Sequence, residues 1–94
     1  MRSRLGGFVV KAILVEIIIS NKPQARDPEG ETITRDLIHK EGFHAIRTVR
    51  TSKLLTMEVD AETEEIARDL TVKMCNDLRL YNPVAHTISV RAGR

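Results

Sequence analysis

One apolar stretch near the start of the chain restricts the possible folds more than any other feature. It runs from Phe8 to Ser20 with the sequence FVVKAILVEIIIS, in which β-branched Val and Ile predominate. Such side chains are stiff at χ1 and fit a pleated sheet better than a helix. Because both alternating faces of the stretch are apolar, the sequence predicts a strand that lies inside its sheet and is covered on both sides.

The two faces of this strand are expected to have different covers. The face predicted to pack under the chain's own helices consists of Val9, Ile13, Val15, Ile17 and Ile19. The other face contains Glu16, and a later strand adds one side chain of the same parity; the apolar members are Ala12, Leu14, Ile18 and Leu54. Small monomers seldom leave such a patch in water, and two-fold pairing is the commonest way to bury it. We therefore predict a homodimer or larger even assembly built on this second face.

Size and cysteine content favour a small protein of the cytoplasm. The 94 residues suffice for one domain with a single modest core. The one cysteine, Cys75, has no internal partner for a disulfide, which fits a reducing compartment. Lys11 and Glu16 interrupt the apolar stretch, which is also shorter than the roughly 18–20 residues of a membrane span. We therefore expect neither a signal peptide nor contact with a membrane.

The helix predicted after this strand has clear signals at both ends. Asp27-Pro28-Glu29-Gly30 is typical of a helix start, with Asp27 as the N-cap and Pro28 in the first turn. Gly42 is placed to end the helix in a left-handed conformation.

The second half of the chain is predicted to form two strands, a helix and a last strand. The two strands run from Ala45 to Thr51 and from Lys53 to Asp60, with a tight turn at Thr51-Ser52. Asp60 is the expected N-cap of a long helix, whose apolar stripe consists of Ile66, Ala67, Leu70, Met74 and Leu78. Asn82-Pro83 ends this helix region, and a final strand follows from Val84 to about Arg91.

The resulting order, β-α-β-β-α-β, predicts a ferredoxin-like α+β sandwich. In this fold a four-stranded antiparallel sheet carries two helices on one face, and the first and third strands lie in the middle. We expect a single domain over residues 1–94, in which residues 1–7 form a frayed N-terminal extension.

No motif for catalysis or for a bound cofactor is present. His39, His44 and His86 lack metal-ligand spacing to one another or to Cys75, and no phosphate-binding glycine loop occurs. We therefore expect no catalytic, cofactor-binding or metal-binding residues. The net charge of +2 is too small to argue for nucleic acid, and base-stacking aromatics are scarce: Phe8, Phe43 and Tyr81. The basic residues Arg47, Arg50 and Lys53 form either a solvated face or a docking site for an acidic partner.

In this order and at these spacings, the motifs resemble the PurS family, the small subunits of phosphoribosylformylglycinamidine synthase. The resemblance extends from about Val10 to Val90. It rests on Asp27-Pro28-Glu29-Gly30 with Thr32-Ile33, on Leu37 and Gly42, on Val49-Arg50 and Lys53, on Met74-Cys75 with Leu78, and on Asn82-Pro83-Val84. Two positions depart from the family pattern as we compare it: Ser52 stands for a glycine, and His86 stands for an acidic residue.

This resemblance implies a structural subunit without an active site. In the family, a large synthetase subunit binds ATP and the formylglycinamide ribonucleotide, and a glutaminase subunit releases ammonia from glutamine. The small subunit helps to bring the two together and self-associates, and the complex converts the amide to the amidine in purine biosynthesis. ATP, Mg²⁺ and glutamine would thus be used by the partner subunits.

A small-molecule sensor of the ACT type is the alternative, because it has the same order of elements. Such a module is expected to have a ligand loop, commonly rich in glycine, after its first strand. Here residues 22–27 are KPQARD, which contain proline and charges instead. The segment therefore disfavours the sensor without removing it from consideration.

Overall fold

A single long strand organises the fold, as the apolar stretch predicts. The structure is a computed structural model and describes residues 2–5 and 8–93. Its elements in chain order are β1 (Arg2–Leu5), β2 (Phe8–Asn21), α1 (Pro28–Thr32), a π-helical segment (Ile33–His39), β3 (Ser52–Ala61), α2 (Glu64–Asp77) and β4 (His86–Ala92). Neither helical region in this part of the chain is long and apolar enough to cross a bilayer.

The strand β2 lies at the centre of an antiparallel sheet. The strand β3 pairs with one edge of β2 from Lys11 to Ser20, and β4 pairs with the other edge from Val15 to Asn21. The short β1 pairs with the start of β2. Lys11 pairs with β1 on one edge of β2 and with β3 on the other edge. The strand β1 therefore lies on the edge opposite β3, which is the edge that β4 also occupies. The sheet therefore has three long strands, in the order β3-β2-β4, and one short addition.

The core lies between this sheet and α2. Ile13, Val15 and Ile17 are buried, as predicted for the face under the chain's own helices. Ile13 and Val15 form one buried cluster with Ala61 and Ala67, and the half-buried side chains packed against it are Met57, Val59, Val90 and Ala92. Val9 of the predicted face lies outside the residues with described side chains.

The helix α2 begins later and presents a different face from the one predicted. The strand β3 continues to Ala61, so Thr63 instead of Asp60 is the N-cap, and its hydroxyl accepts a hydrogen bond from the Ile66 amide at 3.1 Å. The buried row consists of Ala67, Thr71 and Cys75, spaced four residues apart. Of the predicted stripe, Met74 is half-buried, and the other three large side chains, Ile66, Leu70 and Leu78, are exposed.

Both predicted ends of the first helix are confirmed. Asp27 is the N-cap, and Pro28 occupies the first turn. Gly42 has a φ of 93°, and the amide of the following Phe43 donates to the carbonyl of Ile38 at 3.1 Å, as in a Schellman motif. The middle of the helix, Ile33–His39, is π-helical.

The strand predicted from Ala45 to Thr51 does not form, and with it the predicted hairpin at Thr51-Ser52 is wrong. Two amides of this segment donate to side chains instead of to a neighbouring strand: Val49 donates to the Thr34 hydroxyl, and Thr51 donates to the Asp27 carboxylate. The Ile46 amide donates to the nearby Phe43 carbonyl at 3.3 Å. The short fourth strand of the sheet is the N-terminal β1. Residues 2–5, predicted to be frayed, thus belong to the sheet, while residues 1, 6 and 7 lie outside the described residues.

The first helix does not join α2 on the sheet, so the two-helix layer of a ferredoxin-like sandwich is not formed within the chain. No Cα atom of α1 or of the π-helical segment lies within 8 Å of a described strand or of α2. We refer to residues 28–50 as the arm. With the arm extended, the radius of gyration is 18.0 Å, whereas about 12 Å is typical for a compact domain of this length.

Candidate functional site

The base of the arm is fixed by a junction around Asp27, which is buried. One carboxylate oxygen accepts the Gly30 amide at 3.1 Å, as an N-cap does. The Thr51 hydroxyl donates at 2.9 Å, and the Thr51 amide donates to the other oxygen. One side chain therefore joins the start of the helix to a residue that follows it by 24 positions.

Gly30 and Thr34 extend this junction along the helix. A Cβ atom on Gly30 would lie 2.2 Å from the carbonyl oxygen of Val49, so only glycine permits the close approach of the two backbones. The Thr34 hydroxyl donates to the Gly30 carbonyl at 2.8 Å and accepts the Val49 amide at 3.0 Å. The motif that begins with Asp27 thus holds residues 49–51 against the helix.

Hydrogen bonds also set the charge state of this junction. The Thr51 amide, followed by the Gly30 amide and the Thr51 hydroxyl, holds the pKa of Asp27 below its usual value. The guanidinium of Arg50 lowers this pKa further. That guanidinium is itself occupied, because it donates to the carbonyls of Ala25 and Lys22, each at 3.0 Å.

The three basic residues proposed from the sequence do not form one patch. Arg47 and Arg50 line a shallow groove along the arm, and Arg50 is committed to the loop carbonyls. Lys53 lies in a separate depression, next to His86. The groove also contains Arg35 and His39, so it carries three arginines against the carboxylates of Asp27 and Glu31. The sequence does not indicate that Arg35 belongs with Arg47, because the two side chains line the same groove only through the path of residues 43–51.

The sheet face predicted for self-association is present and open. Ile18 and Leu54 are directly opposite each other in the β2–β3 pair, and they are 40% and 54% exposed. Leu14 on the same face is half-buried, and Ala12 is exposed beside Asp60. Glu16, in the middle of this face, forms an ion pair with Arg91, which lies opposite it on β4. The structure therefore places all four predicted residues on one face, but with polar neighbours around them.

A turn after α2 explains the Asn82-Pro83 motif and the departure at His86. The Asn82 amide donates to Nδ1 of His86 at 3.1 Å, and the Asn82 side chain accepts the Val84 amide at 3.0 Å. The His86 amide donates a hydrogen bond to the Asn82 carbonyl at 2.7 Å. Because Nδ1 acts only as an acceptor here, a carboxylate at this position could receive the same hydrogen bond.

The side chains of Cys75 and His39 are buried or hydrogen-bonded within the chain. Burial raises the pKa of the Cys75 thiol, which disfavours the reactive thiolate. The rings of His39 and His44 are tilted with their centroids 5.5 Å apart, and Nε2 of His39 lies 2.6 Å from the Ile46 carbonyl oxygen. Over the described part of the chain, no three His, Cys, Asp or Glu side chains are grouped as a metal site would require.

Comparison with known protein families and sequences gives a consistent result. The family model PurS, phosphoribosylformylglycinamidine (FGAM) synthase, matches residues 14–94. The PurS subunit of this synthase from Thermotoga maritima is 37% identical over 75 residues, which cover 80% of this chain and 89% of the relative. The corresponding subunit from Methanocaldococcus jannaschii is 35% identical over 75 residues, covering 80% of this chain and 88% of the relative. The match to the family begins inside β2.

Solved structures of the same kind of protein are similar to this fold. The PurS subunit from Thermotoga maritima superposes with a TM-score of 0.78 at 34% identity, covering 88% of this chain and 93% of that one. PurS from Methanocaldococcus jannaschii, described as one of the subunits of formylglycinamide ribonucleotide amidotransferase, gives 0.76 at 30% identity, with coverage of 87% and 96%. A chain in the structure of PurLQS from Thermotoga maritima gives 0.73 at 34% identity, with coverage of 87% and 99%.

Proposed function

The chain belongs to the PurS family of phosphoribosylformylglycinamidine synthase subunits, and from this we propose that it is the non-catalytic small subunit of that synthase. In this role it assembles the large synthetase subunit with the glutaminase subunit in purine biosynthesis. The match of residues 14–94 to the family model is the observation that carries the proposal. The similarity to a chain of PurLQS supports assembly with those two partners.

The structure suggests how an assembly subunit of this size would work. Its surface offers an open apolar sheet face and a groove with three arginines, both suited to contacts between proteins. We propose that Ala12, Leu14, Ile18 and Leu54 contact a second copy of the chain. We propose further that Arg47 contacts an acidic surface of a partner subunit, with Arg50 holding the loop beneath it and Lys53 contributing from the neighbouring depression.

In this proposal the chemistry resides in the partner subunits. ATP, Mg²⁺ and glutamine are used by the synthetase and glutaminase subunits, and this chain holds none of them. We propose that the complex works in the cytoplasm.

The sensor alternative receives less support from the loop after β2. An ACT-like module would use this loop to hold an amino acid or another small ligand. Here the Lys22 and Ala25 carbonyls accept hydrogen bonds from Arg50, and the Arg26 carbonyl accepts one from Asn21. Three carbonyls of the loop are therefore occupied within the chain, which favours a structural role.

Affinity capture tests this proposal directly. The tagged chain should recover both the synthetase and the glutaminase subunits when they are co-expressed. Arg47→Glu should reduce this recovery at least several-fold because it reverses the charge in the groove. Lys40→Glu is the matched control, since Lys40 is exposed on the arm but does not line the groove. Failure to recover either subunit would contradict the proposal, whereas equal recovery with both variants would reject only the role of Arg47.

A further inference from the structure

The groove along the arm has one wall from the helix and one from the chain that returns beside it. Glu31, Arg35 and His39, spaced four residues apart and so on one side of the helix, line the first wall. Arg47 and Thr48 line the second wall. Each wall therefore contributes a guanidinium, and a group that enters the groove meets a positive charge from both sides.

The returning chain is attached to the helix on both sides of Arg47. Nε2 of His39 lies 2.6 Å from the Ile46 carbonyl oxygen, and because that oxygen can only accept, the ring nitrogen donates. The Val49 amide donates to the Thr34 hydroxyl at 3.0 Å. The backbone at Arg47 is thus held in place before anything binds, which lowers the entropy lost when a ligand orders this wall.

Three of the charged groups in the groove are already occupied. The buried Asp27 carboxylate accepts hydrogen bonds from two amides and a hydroxyl at the base of the arm. Glu31 accepts two hydrogen bonds from Arg26, at 2.8 and 3.2 Å. The Arg50 guanidinium donates to two loop carbonyls, each at 3.0 Å. These groups shape the groove but have little capacity left for a ligand.

Arg35 and Arg47 have hydrogen bonds to offer. Arg35 donates to the adjacent Asp36, but these two side chains are 71% and 53% exposed, and ion pairs in such positions contribute little. Arg47 forms no ion pair within the described part of the chain. Guanidinium groups bind carboxylates through paired, charge-assisted hydrogen bonds. An anion placed between the two walls can therefore be bound from both.

The size and charge of the groove favour a carboxylate as this anion. Its volume is about 330 Å³, near the lower end of the range of about 300–1,000 Å³ for small-molecule sites. Three arginines and two carboxylates leave one positive charge in the groove. A carboxylate would balance this charge, whereas a phosphate group carries nearly two negative charges. No Phe, Tyr or Trp is among the described residues that line the groove, so a nucleotide base would have no ring to stack on.

We propose that the groove binds one Asp or Glu side chain of a partner subunit, held between the guanidiniums of Arg35 and Arg47. This inference rests on the proposed function and specifies the chemistry of one contact within it. The chain carries a net charge of +2. Long-range electrostatics therefore attracts an acidic partner, whereas a second copy carries charge of the same sign.

Zero-length crosslinking of the complex tests this contact. Arg47→Lys and, separately, Arg35→Lys keep the positive charge and place a primary amine in the groove. The tagged variant is co-expressed with both partner subunits, the complex is captured, and a water-soluble carbodiimide joins amines to the carboxylates that they touch. Peptide mass spectrometry identifies the linked residues. Lys40 is the internal control, because it is exposed on the arm but does not line the groove.

The outcomes separate this contact from the assembly role as a whole. We expect both variants to link to the same Asp or Glu of one partner subunit, and Lys40 not to link to that residue. If the complex is captured but the new amines link to no partner subunit, only within this chain, or to a second copy of it, the inference is wrong and the assembly role stands. Links from the two positions to distant partner residues would also overturn it. If neither subunit is captured, the proposed function fails and the inference fails with it.

Charge exchange provides an independent measurement of the same contact. Arg47→Gln should weaken binding to the linked subunit by about 10-fold, because it removes hydrogen bonds to a charged group. Arg47→Glu should weaken binding further, and so should an arginine in place of the linked carboxylate. The two changes combined should bind more tightly than either change alone. Lys40→Glu should bind like the unmodified chain, and a combination no better than its single changes would overturn the inference.

Discussion

Gly30→Ala provides a sharp test of the junction because two effects predict opposite signs. Gly30 lies in the helix α1, where alanine is ordinarily more favourable than glycine by about 1 kcal/mol. The added Cβ, however, would lie 2.2 Å from the Val49 carbonyl oxygen and 3.0 Å from the Asp27 carboxylate. Contacts this short with backbone force a shift, and overpacking of this kind costs about 1–3 kcal/mol. Because 2.2 Å is far inside contact distance, we expect a steric cost in the upper part of this range, about 2–3 kcal/mol, so that a net local destabilisation of about 1–2 kcal/mol remains after the helix preference is subtracted.

The measurement must report on the arm, because the arm does not pack on the sheet. A global melt followed through α2 and the sheet could miss the loss of the junction. Hydrogen exchange of the Val49 and Thr51 amides reads the junction directly, since these amides donate to Thr34 and Asp27. A net local loss of about 1–2 kcal/mol corresponds to exchange that is about 5- to 30-fold faster.

Thr32→Ala is the matched control for this experiment. Thr32 is exposed at the end of the same helix, and alanine there should leave or slightly increase the protection of both amides. If Gly30→Ala exchanges as slowly as the unmodified chain, the close approach of the two backbones does not hold the arm, and the reasoning is wrong.

Four further results are expected. The folded protein lowers the pKa of Asp27, so the stability that this carboxylate contributes is complete above its unfolded pKa of 3.8 and is lost as the pH falls through the lower folded pKa. In urea titrations, Asp27→Asn should therefore be less stable than the unmodified chain at neutral pH. Its free energy of unfolding should also decrease less as the pH is lowered through this range. Cys75→Ser should cost about 1–3 kcal/mol in a thermal melt, because it places a hydroxyl in the fully buried row of α2; a negligible cost would place Cys75 at the edge of that row. His86→Asp should keep the bond from the Asn82 amide, and His86→Ala should lose about 1 kcal/mol; equal melts would show that this bond is unimportant. Leu54→Glu should lower the assembly mass in light scattering by opening the sheet-face contact; an unchanged mass would reject that face as an interface.

The features that were predictable from the sequence are those set by local chemistry. The apolar pattern of β2 predicts its central position, and its parity places Ile18 and Leu54 on one face. The helix start at Asp27 and its end at Gly42 follow from capping preferences that act within a few residues. Each of these depends on neighbours in the sequence or on strict alternation, and each was correct.

The features that failed depend on contacts between distant residues. Residues 45–51 have the composition of a strand, but the amides of Val49 and Thr51 donate to the side chains of Thr34 and Asp27, and these distant acceptors cannot be read from local propensity. The periodicity of α2 is real, but it does not say whether Ile66 and Leu70 face the chain's own core or another surface. Likewise, Arg47 and Lys53 are close in sequence, but they line two different depressions of the surface.

The most direct test of the assigned role is the glutamine-dependent formation of the amidine by the cognate synthetase and glutaminase subunits, measured with and without this chain. The reaction should require the chain when glutamine is the nitrogen donor, and the chain alone should hydrolyse neither ATP nor glutamine. With ammonium in place of glutamine, the synthetase should form product without the chain, because the chain's role is assembly. A glutamine-dependent rate that is unchanged when the chain is omitted would contradict the account.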